Sequence, residues 1–253
     1  MEKNAGIEFM HRTRYGEISV SPQRSGEIPQ PPLELPFPAD ADIIPLVKPA
    51  EIQMPPMDLR QAVEQRRSLR SYSEVSLTQA ELSYLLWMSQ GVKKISKRPS
   101  TARTVPSAGA RHAFETYVLV NRVEGIDPGL YRFLAIEHAL MPLDLSEDIH
   151  TRITFACGQQ SQVASSAATF IWVAVVERMF WRYTERGYRY LHLDAGHVCQ
   201  NLALAAEQMG GGICPIAAFD DDELNRVLGL DGENLFVIYL ASMGKKPGIP
   251  INI

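Results

Sequence analysis

The sequence predicts an α+β fold, a sandwich with a central mixed sheet flanked by helices, on three observations. The first is a continuous apolar run, Thr169-Phe170-Ile171-Trp172-Val173-Ala174-Val175-Val176, which suits a strand covered on both faces. The second is a long helical stretch from His192 to Met209, where Ala203, Ala205 and Ala206 permit close packing. The third is a set of helices and a few buried strands with mixed connections and no internal repeat.

Residues 1–57 hold ten of the 17 prolines, including Pro31-Pro32 and Pro55-Pro56. Proline at this density disfavours helices and central strands, so an extended N-terminal arm is expected, with one globular domain over residues 58–253. Leu33, Leu35, Phe37, Ile43, Ile44 and Leu46 make the arm apolar enough to pack across the domain or around a partner subunit. A disordered leader is the alternative. Asp58 to Gln65 reads as a short helix. Thr78-Gln79-Ala80-Glu81 is a capping box opening a helix that runs through Gln90 and stops at Gly91. Leu82, Leu85, Leu86 and Ser89 share one face of it, which assigns that face to the core. Lys93 to Thr104 is basic and lacks periodicity, so a loop is expected there. Phe114 to Asn121 reads as a strand, Gly210-Gly211-Gly212 ends the long helix, Asp220 to Glu223 opens another, and Leu235 to Ser242 is the last strand.

Composition narrows the function classes. The 253 residues are 45% hydrophobic, ordinary for a globular chain, and a net charge of −4 gives no reason to propose nucleic acid or an anionic membrane as partner. No stretch of about 18 uninterrupted apolar residues exists, so no conventional membrane span is expected. Met1-Glu2-Lys3-Asn4 lacks the apolar core of a signal peptide, which points to the cytoplasm. Cys157, Cys199 and Cys214 are odd in number and widely spaced, as buried free thiols would be.

Two segments point to chemistry. Arg66-Arg67-Ser68-Leu69-Arg70-Ser71-Tyr72 packs three arginines and two serines into seven residues. Guanidinium forks bind phosphate bidentately and hydroxyls add short bonds. Pro106-Ser107-Ala108-Gly109-Ala110-Arg111-His112 brings small residues that let a backbone approach a flat ligand closely. Alone, the first is an ordinary solvated helix end and the second an ordinary turn; together they suggest a phosphorylated planar cofactor. Tyr183, Arg186, Tyr188 and Arg189 form a further cluster. There a phenol could move a proton and arginines could orient an anion, or the group could be a loop that packs by stacking. His192 and His197 are five apart on a helix, the wrong spacing for facing metal ligands, so no metal site is expected. No Gly-x-Ser-x-Gly motif supports a serine hydrolase, and a glycine run that follows a helix does not support a Rossmann site.

The order of short motifs carries a resemblance. Arg66-Arg67-Ser68-x-Arg70-x-Tyr72, Pro106 to His112, Gly129-Leu130-Tyr131, Glu177-Arg178, Asp194-Ala195-Gly196-His197 and Cys214-Pro215-Ile216-x-x-Phe219-Asp220 follow one another as they do in the nitroreductase superfamily. More narrowly, residues 58–246 resemble the SagB-type dehydrogenases. The resemblance implies a nitroreductase-like fold and a homodimer with FMN at each subunit interface. It implies that Arg66, Arg67, Ser68 and Arg70 hold the phosphate, with Lys245 and Lys246 closing that site. It also implies that Pro106, Ser107, Ala108, Gly109 and Arg111 approach the flavin from the partner subunit. Backbone groups at Pro215, Ile216, Ala217 and Ala218 would face the flavin's reactive nitrogen.

The expected activity is two-electron transfer on a small organic or peptide-derived substrate, with Tyr183 and Arg186 as candidate catalytic residues and NAD(P)H as a candidate electron donor. An NAD(P)H-dependent nitro or quinone reductase, or a non-catalytic flavin-binding component of a biosynthetic complex, are the alternatives. SagB-like enzymes that oxidise azolines carry a Lys-Tyr pair where this chain has Arg182-Tyr183. Arginine does not deprotonate near neutral pH and cannot stand in for a lysine base.

Overall fold

The computed structural model describes residues 4–97 and 99–248; the extreme ends of the expected arm and domain, residues 1–3 and 249–253, lie outside it. In the arm, α1 (Ala5–Arg12) is capped by Asn4, whose side-chain oxygen accepts from Ile7 N, and α2 (Pro22–Ser25) starts on a proline. A two-residue strand, β1 (Ile44–Pro45), adds to the edge of the main sheet, where a proline is tolerated. Next come α3 (Leu59–Gln65), capped by Asp58, and α4 (Gln79–Gln90), with the Thr78–Glu81 capping box formed in both directions. Further along are β2 (Val92–Ile95), β3 (Thr101–Arg103), β4 (Phe114–Val120), β5 (Gly129–Leu134), β6 (Ala139–Asp144), α5 (Ile149–Ala156) and α6 (Ser161–Ser165). The chain finishes with β7 (Ala168–Val175), α7 (Val176–Tyr183), α8 (Gly187–Gln208), β8 (Gly211–Ile216), α9 (Asp221–Val227) and β9 (Leu235–Lys245).

Seven strands form one sheet in the order β1-β6-β5-β4-β7-β9-β8. Each pairing in it is antiparallel, where mixed connections were expected. The apolar run of β7 does not require parallel neighbours; it requires cover on both faces. Phe170, Trp172 and Ala174 pack on one side with Leu82, Leu86 and Leu202, while Ile171 and Val173 pack on the other with Ile149, Ile153 and Leu224. Successive side chains of a strand point to opposite faces, so the unbroken run fills two cores at once. Among the described residues no helix is long and apolar enough to cross a membrane.

Three local expectations change. Lys93 to Thr104 is largely a hairpin of β2 and β3, its register shifted between Val92 and Lys94, and that irregularity conceals the alternation. The Tyr183–Arg189 cluster, open to reading as a loop, is helical: α7 runs to Tyr183, Thr184 (φ 50°) breaks the axis, and α8 begins at Gly187, five residues before His192. Gly211 and Gly212 belong to β8; a side chain at Gly212 would collide with Leu69, and one at Gly211 with Met243. The arm lies across its own chain, with Trp181 Nε1 donating to Ile28 O (2.9 Å) and Arg178 Nε to Pro32 O (2.8 Å).

Candidate functional site

Residues 66–73 leave α3 as an extended segment laid on the ends of β8 and β9. Leu69 N donates to Ile213 O (2.8 Å) and Ser73 N to Lys245 O (3.0 Å), while Tyr72 Oη lies 2.9 Å from Ser242 Oγ. A Cβ on Gly212 would fall 2.9 Å from Leu69, and one on Gly244 2.7 Å from Tyr72, so two glycines set the depth of the seat. Leu69 is buried; Ser68, Arg67 and Arg70 are exposed and Arg66 is half-buried. Among the described residues the side chains of Arg66, Arg67, Ser68 and Arg70 make no ion pair or hydrogen bond. Three unpaired guanidinium groups and a hydroxyl within five residues fit a phosphate by charge and by donor geometry.

The neighbouring thiols are free and buried. Burial pushes Cys199 up to about 12 against the opposing charge of Arg66, and burial likewise raises Cys214 against the pull of Arg70.

Lys245 and Lys246 stand differently. Lys245 Nζ pairs with Glu81 and donates to Met209 O (3.0 Å), and Lys246 Nζ pairs with Glu207. Both line a cavity of about 550 Å³ with Ser73, Ser76 and Thr78, and none of Arg66, Ser68 and Arg70 is in its wall.

The Pro106–His112 segment is fixed to α8. Ala108 N donates to both oxygens of Asp194 (3.2 Å each), and His112 N to Ser107 Oγ (2.9 Å). Burial raises the Asp194 carboxyl, opposed by hydrogen bonds from Ser107 and Ala108. Gly109, Ala110 and His112 all have left-handed backbone, at φ 57°, 53° and 43°. That run turns the segment sharply and costs strain at the two non-glycine positions. Burial, with Arg103 and Arg111 nearby, holds the His112 imidazole down at about 3, so it stays neutral. Arg111 donates from Nε to Gly109 O (3.1 Å) and stacks 5.3 Å from the Trp181 ring.

Gly109 abuts Tyr183 and Arg182, which brings the small-residue segment and the Tyr/Arg cluster together. In that cluster Tyr183 and Tyr190 meet edge to face at 4.8 Å, and Arg186 donates to Tyr190 Oη (2.8 Å) and Thr13 O (2.7 Å). Arm residues complete it: Arg182 Nη1 donates to Gln23 Oε1 (3.3 Å) and Arg189 Nε to Thr13 Oγ1 (2.5 Å). Sequence reading missed Thr13, Gln23 and Arg24, which sit in a Ser- and Pro-containing stretch without motif or period; only tertiary packing brings them here.

Beyond β8, Pro215 and Ile216 finish the strand and Ala217 and Ala218 are exposed. Ala218 borders a cleft of about 730 Å³ with Phe155, Gln159 and Phe219, and its carbonyl accepts from Gln160 Nε2 (2.7 Å). Among the described residues no hydrogen bond joins residues 66–70 to residues 106–112. The two segments serve different stretches of α8, one near Cys199 and the other at Asp194, about 7.5 Å apart along the axis.

Comparison with known proteins gives the lineage. The nitroreductase family profile matches residues 63–245. MJ1384 of Methanocaldococcus jannaschii, named as a nitroreductase, is 33% identical over 199 residues, covering 78% of this chain and 96% of that protein. The trifolitoxin-processing protein TfxB of Rhizobium leguminosarum is 31% identical over 133 residues, covering 51% of this chain and 36% of TfxB. A crystal structure of a nitroreductase-like protein from Ralstonia eutropha superposes with a TM-score of 0.67 at 21% identity, covering 88% of this chain and 100% of that one. The chain therefore belongs to the nitroreductase family.

Proposed function

We propose that this chain is an FMN-dependent oxidoreductase of SagB type, a cytoplasmic homodimer with a flavin at each subunit interface, acting on a small organic or peptide-derived substrate. The observation that supports this is the seat of residues 66–70: charges suited to a phosphate, unpaired among the described residues, on a platform shaped by Gly212 and Gly244. Arg66, Ser68 and Arg70 would hold the phosphate, with Arg67 and the ion-paired Lys245 and Lys246 at its margin. Ser107, Ala108, Gly109 and Arg111 would approach the ring from the partner subunit, in keeping with their separation from residues 66–70 in one chain. The N–H of Ala218 would donate to the ring, with Pro215, Ile216 and Ala217 shaping its surroundings.

Bound flavin supplies the two-electron transfer itself. This chain's part is to orient, to exclude water and to place a proton donor. The Tyr183 phenol beside Gly109 is the group suited to that last task, and Arg186 fixes the neighbouring Tyr190. NAD(P)H is the proposed reductant. TfxB is named for toxin processing, which supports a peptide-derived substrate, while Arg182 removes the lysine base that azoline oxidation uses.

The test is the visible absorption of the purified protein, with FMN added where it is missing, before and after anaerobic NAD(P)H. Flavin bands that bleach support the enzyme; persistent bands point to a substrate-reduced dehydrogenase or a silent flavin binder, and no bands after added FMN would overturn the reading.

A further inference from the structure

A cavity of about 680 Å³ opens between the arm and the start of α8. Its wall holds three guanidinium groups, from Arg24, Arg182 and Arg186, and three phenols, from Tyr15, Tyr183 and Tyr190, and it contains no aspartate or glutamate. Elsewhere the chain matches arginine with carboxylate at close range, as in Arg178 with Glu115 (2.5 Å) and Arg152 with Asp144 (2.6 Å). Among the described residues none of the three cavity arginines has an ion pair. Arg186 bonds to Tyr190 and Thr13 and Arg182 to Gln23, while the Arg24 side chain has no bond among the described residues.

A second observation concerns the same wall. Thr184 is 2% exposed, and among the described residues its buried hydroxyl has no hydrogen-bond partner. Its backbone, at φ 50° and ψ −141°, is in a region that only glycine enters freely, and such strain clusters at ligand-binding positions. A cavity lined by arginines without a carboxylate matches a ligand that brings its own negative oxygens.

We propose that this cavity binds the oxyanion, a carboxylate or phosphate, of an organic substrate. Arg24 and Arg182 take the charge, and Tyr183 and Tyr190 flank the adjoining carbon skeleton. Arg182 and Tyr183 also abut Gly109. On the flavin reading above, on which this inference rests, Gly109 faces the ring. A substrate anchored by its charge therefore extends its uncharged end toward the reacting centre. The arm thereby becomes a wall of the substrate site.

The test is calorimetric titration of the full-length protein with benzoate, phenyl phosphate and benzamide, with flavin content read from visible absorption of the same samples. At least one anion binds about 10-fold or more tightly than benzamide, since a charge-assisted contact is worth about that factor. The tighter anion identifies the oxyanion, and either supports the proposal. Arg24→Gln and Arg182→Gln each bring the ratio of that anion to benzamide toward one. Arg24 is exposed and its side chain makes no hydrogen bond or ion pair among the described residues, so its replacement leaves the fold intact, as circular dichroism would verify. No binding of either anion, equal affinity for benzamide, or an unchanged Arg24→Gln protein would overturn it. Because one chain builds the whole cavity, anion preference without flavin sinks only the FMN reading, and flavin without anion preference sinks only this one.

Discussion

Gly109 and Tyr183 are in direct apposition: a Cβ on Gly109 would intrude on the phenol oxygen and come within 2.7 Å of Arg182 Nε. With φ at 57°, the glycine also adopts backbone that L side chains rarely take. Gly109→Ala is expected to cost only about 1 kcal/mol in stability, because the atoms it displaces are the far ends of flexible side chains. Turnover should fall much more, by about 10-fold or more, since misplacing a positioned group carries that penalty. Thermal unfolding and steady-state kinetics on the one variant check both numbers. Full activity would remove Tyr183 and Gly109 from the reacting centre.

Beneath the arm, Glu115 is 3% exposed and accepts from Arg178 Nη2 (2.5 Å) and Leu35 N (2.9 Å). Burial holds Arg103, also close to Glu115, down at about 10. Glu115→Ala leaves Arg178 and Arg103 buried as like charges, a change that costs about 3–5 kcal/mol. Urea unfolding should show the loss, and a change under about 1 kcal/mol would mean the pair is not closed in solution.

Glu34 makes arm docking pH-dependent. Its carboxyl accepts from Ala135 N (2.6 Å) and Ile136 N (3.2 Å). Burial, with the Glu115 charge and a hydrogen bond to Glu137, raises it from 4.5 to about 7. The docked arm thus keeps a proton that the released arm gives up. Docking is strongest below about pH 4.5 and weakens as pH rises to about 7. Intrinsic-rate-corrected hydrogen exchange at Ala135 and Ile136 should lose protection across that window in wild type and not in Glu34→Gln. Protection that grew with pH would reverse the assignment.

Much of the fold could be read from local pattern. The capping box at Thr78, the β7 run and the acidic start of α9 each encode their own geometry, and each forms where expected. The misreadings share a cause. β8 begins with two glycines that look like a helix stop, but Leu69 and Met243 need that space. The kink at Thr184 divides one Tyr/Arg-rich stretch between two helices, and Gly187, which starts the second, leaves the space that Met179 of the first fills. The same holds for the site: Arg66, Ser68 and Arg70 announce themselves by composition, whereas Arg24 reaches Tyr183 only because the arm folds back across some 160 residues of chain.

The phosphate seat is the centre of the account, and riboflavin, which is FMN without its phosphate, tests it most directly. Fluorescence titration should show FMN binding about 100-fold or more tightly than riboflavin. Arg66→Ala should lose about 10- to 100-fold of FMN affinity, one contact of about 1.5–3 kcal/mol, with riboflavin affinity unchanged. If riboflavin binds wild type as tightly as FMN, or Arg66→Ala keeps full FMN affinity, residues 66–70 do not hold the phosphate and the proposed site is wrong.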